Sequence, residues 1–236
     1  MQHADQVAYI ERMLGMARAN ARDAGELSYC SVEEYFDDRR FAREQGALAS
    51  KAGAQLIGDN AKSSMATTAF ANAISSHSIE LDDIDVLALF HFSPPVYSSA
   101  LAVADATKAN GKQLVTALAA GCEMMERVSR AANNSLRNRA FHTTPTCGVF
   151  GATIAASKIL KLNAEKITNA LGMAGAQASG LMEMYGPSMQ KRFNPGPTAR
   201  NGVTAALMAG VGYLALSWVD NYLGFLIVYL GLISLA

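Results

Sequence analysis

The stretch "RAFHTTPTCGVFGATIAASKILKL", residues 139–162, decides how the chain is read. From Gly148 onward it is a run of Ala, Gly and branched apolar residues without charge until Lys158, which predicts a helix over about 148–161 that is buried on most sides. Ahead of it, "HTTPTCG" is a Pro/Gly break that carries His142, one of only four histidines. The same helical spacing recurs on both sides of this segment, and no series of alternating β-branched stretches competes with it, so the expected fold class is all-α.

Upstream, "SSMATTAFANAISSHSI" (63–79) combines helix-forming Ala with small Ser and Thr, as in an interior helix that neighbours approach closely. Pro94 and Pro95 interrupt the pattern, residues 98–109 resume it, and "NGK" at 110–112 turns the chain into a helix over about 113–136. Downstream, Asn163 is the expected N-cap of "AEKITNALGMAGAQASGLM", with Glu165 in its first turn and Ile167, Leu171, Ala174 and Ala178 on its buried face. "GPSMQKRFNPGPTARNG" (186–202) reads as a long loop with three prolines, followed by a last helix from near Gly202; loops of that length are often functional.

Composition narrows the function. A chain of 236 residues with 50% hydrophobic residues can bury a sizeable core. Twenty Lys and Arg balance twenty Asp and Glu, which leaves no electrostatic source for nucleic-acid binding. Cys30, Cys122 and Cys147 are odd in number and widely spaced, as expected of reduced thiols in a cytoplasmic protein. The charged N-terminus lacks the apolar core of an export signal.

Reactive side chains gather in three places: His142; Lys191, Arg192 and Arg200; and "HSIELDDID" with Glu80, Asp82, Asp83 and Asp85, followed by His91. Cations to hold a carboxylate and a base to move a proton beside it are what a small carboxylate substrate requires, and imidazole suits the second task. Each cluster also has a plainer reading. His142 by itself fits a residue bonded locally at a helix start, the acidic run a solvated helix end, and Lys191 and Arg192 surface charges. Cys147 lacks an orienting group and reads as a buried thiol, not a nucleophile. His77, Asp82 and His91 match no established ligand spacing, so no metal site is assigned.

"FANAISSHSIELDD", "AAGCEMMERVSRA", "RAFHTTPTCGVFGATIAASKIL", "ITNALGMAGAQASGLMEM" and "MQKRFNPGPTARNGVTAALMA" together resemble the MmgE/PrpD family over about residues 47–209. The resemblance implies a cofactor-independent homodimer whose all-helical large domain joins a smaller α+β lid. It also implies elimination, decarboxylation or epimerisation next to a carboxylate, on small di- or tricarboxylates such as 2-methylcitrate or cis-aconitate. It places His142 and Lys191 on the family's active-site histidine and lysine, His91 on the histidine of its "HPS" segment, and Glu80 where an active-site aspartate is usual. Asp82 and Asp83 are kept, and Arg200 is expected to bind substrate. Ile84 stands where many members carry Thr, and Asn194 where the lysine motif continues to His.

Three segments are therefore expected: 1–46 without a clear family match, a helical domain over 47–209, and a divergent apolar tail over 210–236 in place of the lid. The simplest expectation for that tail is a truncated or frame-shifted gene product. Asp220 and Asn221 divide it, leaving a run short of the ~20 residues needed to span a bilayer. A lyase or isomerase is the leading expectation, against a catalytically dead helical remnant that dimerises or a membrane-associated helical protein.

Overall fold

The computed structural model describes residues 53–132, 135–182 and 189–212. A two-residue antiparallel pairing opens it, β1 (Ala54–Gln55) with β2 (Lys62–Ser63), in register Ala54 to Ser63. Helices follow: α1 (Met65–His77), α2 (Ser98–Thr107), α3 (Gly111–Ala132), α4 (Ser135–Asn138), α5 (Thr143–Ile159), α6 (Ala164–Gly175), α7 (Gln190–Phe193) and α8 (Pro195–Gly210). A π-type turn over Ser93–Tyr97 leads into α2. The expected all-α class holds.

Helix α5 is the centre. Of its residues only Lys158 escapes burial, and α3, α8, α2 and α6 all pack on it. An apolar surface all round fits only a helix enclosed by others. Close approach is achieved by missing side chains: a Cβ on Gly151 would lie 2.8 Å from the Gly121 carbonyl oxygen, and one on Gly121 equally near the Gly151 carbonyl oxygen. Gly202 of α8 meets Ala152 at 2.5 Å in the same sense. Gly151→Val is therefore expected to destabilise the fold by ~1–3 kcal/mol, the usual cost of overpacking, read as a lower denaturation midpoint at unchanged m-value.

Local chemistry sets the ends of the helices. The Ser64 side chain accepts from the Thr67 amide at the start of α1. Before α3, Asn110 and Gln113 bond reciprocally, each side chain accepting from the other's amide at 2.9 Å, which is a capping box. Asn163 caps α6 as its sequence predicts, accepting from the Lys166 amide at 2.9 Å. Thr68 of α1 donates to the Ala54 carbonyl, and Asn72 accepts from the Ile57 amide, which ties the short hairpin to the helical body.

Two helix starts depart from expectation, both at prolines. Helix α5 begins at Thr143, ahead of Pro145, and α8 begins at Pro195, ahead of Gly202. A proline in the first turn loses no intrahelical hydrogen bond and has its φ preset, so it starts these helices where the sequence reading has it break them. The 186–202 loop is thus mostly helix, with α7 inside it. Helix α6 also ends early, at Gly175, and residues 178–182 continue as extended chain against the segment before α5. Residues 1–46 and most of the 210–236 tail lie outside the described residues, as does Cys30. Cys122 and Cys147 are free thiols.

Candidate active site

His142 occupies the N-cap position of α5 and is buried. Its amide donates to the Gly180 carbonyl at 3.0 Å, and its carbonyl accepts from Thr146. Gly180 is required for this: its φ is +126°, and a Cβ there would lie 2.4 Å from Pro145 Cγ. The imidazole Nδ1 faces the Asn194 side-chain amide at 3.3 Å, which orients the ring. Thr198 Oγ1 donates to the Pro145 carbonyl, fastening the start of α8 beside the start of α5.

The burial of His142 pushes its pKa down to about 2, and electrostatic repulsion from His77, Lys191, His91 and Arg137 acts in the same direction. His142 is a neutral imidazole at any working pH. The unfolded chain binds a proton at an ordinary histidine pKa near 6.5 and the folded chain does not, so stability is present above that value and falls as pH drops below it. His91 is shifted the same way, chiefly by burial, and adds to the loss. The unfolding free energy is expected to fall between pH 7 and pH 5 by up to ~1.4 kcal/mol per pH unit for His142 below 6.5, and His142→Gln is expected to flatten that slope.

The acidic run is only partly a solvated face: Asp83 is exposed and Asp82 is not. Asp82 is shielded, its side chain 5% exposed, and its Oδ2 lies 2.8 Å from His77 Nδ1 and 3.5 Å from His91 Nδ1. Asp83 accepts from the Phe92 and Ser93 amides and from Ser93 Oγ, so it caps the turn that carries Pro94 and Pro95. Asp85 holds its own turn by accepting from the Leu87 and Ala88 amides. His91 Nδ1 donates to the Asp83 carbonyl at 2.7 Å, and the His91 amide donates to Thr144 Oγ1, two residues beyond His142. The rings of His77 and His91 meet edge to face at 4.7 Å.

Glu80 sits in left-handed backbone, φ 50°, a conformation that costs a non-glycine residue energy and is often found where a side chain must be aimed. Its carboxylate pairs with Lys191 Nζ and lies 3.8 Å from Arg192 Nε. Arg192 is a correction to the reading of it as a surface charge: it is 5% exposed, because α7 turns that face inward towards Glu80. Arg200 is not brought into this group. It is exposed on α8, with its guanidinium 5.6 Å from the centre of the Phe70 ring and its Nε donating to Asn201. Cys147 is enclosed and its thiol is pushed up to about 12 by burial, which removes it as a nucleophile.

The structure thus gathers Glu80, Asp82 and His91 with His142 and Lys191, from three segments far apart in sequence. It adds His77, Arg192 and Asn194, to which the sequence reading gives no site role.

The profile of the MmgE/PrpD N-terminal domain matches residues 40–231. The chain belongs to the MmgE/PrpD family. The match begins before residue 47 and runs past residue 209 into the apolar tail. This MmgE/PrpD chain is 32% identical over 184 residues to a cis-aconitate decarboxylase-like protein of Aspergillus oryzae, covering 74% of the chain and 38% of the relative. It is 32% identical over 180 residues to cis-aconitate decarboxylase of Aspergillus terreus, covering 73% of the chain and 37% of the relative. Over 150 residues it is 32% identical to cis-aconitate decarboxylase of Homo sapiens, covering 61% of the chain and 31% of the relative. The chain therefore spans less than two-fifths of the length of these relatives. Among the described residues no helix is long and apolar enough to cross a membrane.

Proposed function

We propose that this MmgE/PrpD chain carries the helical large domain of a cytoplasmic, homodimeric carboxylate lyase, acting on a small di- or tricarboxylate without a cofactor. The observation that carries the reading is His142: a buried imidazole with Nδ1 held by Asn194 at the end of α7, near enough to Lys191 to feel its charge. Such a group moves a proton at the carbon next to a carboxylate. In elimination it takes the proton; in decarboxylation the carbon keeps the electron pair when carbon dioxide leaves, and that carbon must then be protonated. Lys191 supplies the charge for the substrate's carboxylate, and His91, oriented by the Asp83 carbonyl and beside Asp82, is the second proton-transfer group. Asn194, in place of the family's histidine, holds the His142 ring through Nδ1.

Because the relatives are named for cis-aconitate, that tricarboxylate is the first substrate to assay, with 2-methylcitrate beside it. Incubation in heavy water followed by proton NMR reads both carbon dioxide loss and exchange at the reacting carbon. Deuterium in the product or in recovered substrate is expected. Neither exchange nor turnover with any di- or tricarboxylate, from a chain of verified helical content, would overturn the reading. Sedimentation equilibrium tests the homodimer.

A further inference from the structure

His77 lies in the last turn of α1 and is fully buried. Its Nδ1 donates to Asp82 Oδ2 at 2.8 Å, and its ring meets the His91 ring edge to face. Asp82 Oδ1 and His77 Nε2 are enclosed without a hydrogen-bond partner among the described residues, so this one bond orients both side chains. The same Asp82 Oδ2 lies 3.5 Å from His91 Nδ1. That nitrogen donates to the Asp83 carbonyl at 2.7 Å, and a carbonyl only accepts, so Nδ1 holds a proton and Nε2 is the nitrogen left to take one.

A proton taken at Nε2 makes the His91 ring a cation, and the groups around it divide over that charge. Burial opposes it most and holds the His91 pKa below the usual histidine range. Asp82 favours the charge, His77 of α1 and Lys191 of α7 oppose it, and the Asp83 carbonyl favours it. His142, at the start of α5, is a further titratable neighbour and is repelled by a charged His91 in turn. Asp82 is the anion at the Nδ1 edge, so its place governs how readily the ring works as a base. We infer that His77 is a positioning residue: by holding the Asp82 carboxylate beside His91 Nδ1, it keeps that ring able to take a proton at Nε2 and give it back. The inference rests on the reading of His91 as the second proton-transfer group.

The test compares His77→Leu with His77→Asn in the full chain. Both remove the imidazole and any charge on it, but the Asn side-chain amide stands near the place of Nδ1 and can still donate to Asp82, whereas Leu only fills the space. With four histidines in the chain, long-range proton–nitrogen NMR resolves each ring and follows it through pH. The neutral His91 ring of the parent is expected to carry its proton on Nδ1. The His91 pKa is expected to fall in His77→Leu below its value in His77→Asn, because a carboxylate no longer held in place ceases to favour the ring's charge. In turnover, His77→Leu is expected to lose about 10-fold or more in kcat, part of the ~10²–10⁴ that a general acid or base contributes. KM should change little, and Asn should restore most of the loss. Circular dichroism reports that the variants stay helical. If Leu at this buried position unfolds the chain, Asp82→Asn carries the test, and there too the His91 pKa must fall below the parent's. The inference is overturned by a neutral His91 with its proton on Nε2, by a His91 pKa no lower in folded His77→Leu than in His77→Asn, or by an undiminished kcat in folded His77→Leu. An unchanged His91 pKa in Asp82→Asn overturns it as well. A parent without turnover sinks the lyase reading alone, since the titration decides the positioning by itself.

Discussion

His142→Ala is expected to lower turnover by ~10² or more while leaving the helical content intact. Loss of a general acid or base costs ~10²–10⁴-fold. The fold is less sensitive, because His142 holds its place through backbone bonds to Gly180 and Thr146 that alanine keeps. The assay belongs both on the chain as written and on a version joined to the part of a curated relative that lies beyond the match. His142→Gln separates proton transfer from packing: it fills the space and can still face Asn194, but carries no basic nitrogen. Both variants should lose activity together, with the deficit in kcat more than in KM, since a group that acts in the transition state contributes little to ground-state binding. A His142→Gln enzyme close to the parent in kcat would remove His142 from the chemistry.

That His142 stands at a helix start is legible from "FHTTPTCG" alone, but what gives it a neutral, fixed ring is not. The lock on its backbone comes from Gly180, and the lock on its side chain comes from Asn194. Each is tens of residues away, so no local pattern links them. The helical periodicity of α1, the Asn163 cap and the enclosure of α5 could be read because they depend on neighbours three or four positions apart. The starts of α5 and α8 were hidden because proline breaks a helix interior but suits its first turn, and sequence does not say which applies. Arg192 reads as a surface charge for a related reason. The face an arginine presents depends on α7, a single turn too short for its own period to be visible. In the same way, "HSIELDDID" reads as a solvated run until the turn at Pro94 and Pro95 is seen to need the Asp83 carboxylate, and His77 the Asp82 carboxylate.

Glu80 and Lys191 carry the second large effect, which concerns binding. Lys191 is the cation expected to meet a substrate carboxylate, yet it is already paired with Glu80, a residue one methylene longer than the aspartate usual in the family. The left-handed backbone at Glu80 helps direct that longer side chain across to α7. An incoming carboxylate must therefore share or displace Glu80, and part of its attraction to Lys191 is offset before it arrives. Lys191→Met is expected to weaken inhibition by small dicarboxylates about 10- to 100-fold, the worth of a hydrogen bond to a charged group at ~1.5–3 kcal/mol. Glu80→Gln is expected to act in the opposite direction and tighten dicarboxylate binding, because it removes the competing anion while keeping the side-chain length. Calorimetry with a dicarboxylate that cannot react reads both effects without relying on turnover. In the double variant, Glu80→Gln should bring little further gain, since its benefit passes through the Lys191 ammonium. If Lys191→Met leaves the dissociation constant unchanged, the lysine serves only to hold Glu80, and the substrate's charge must be met by another cation, with buried Arg192 the first to test.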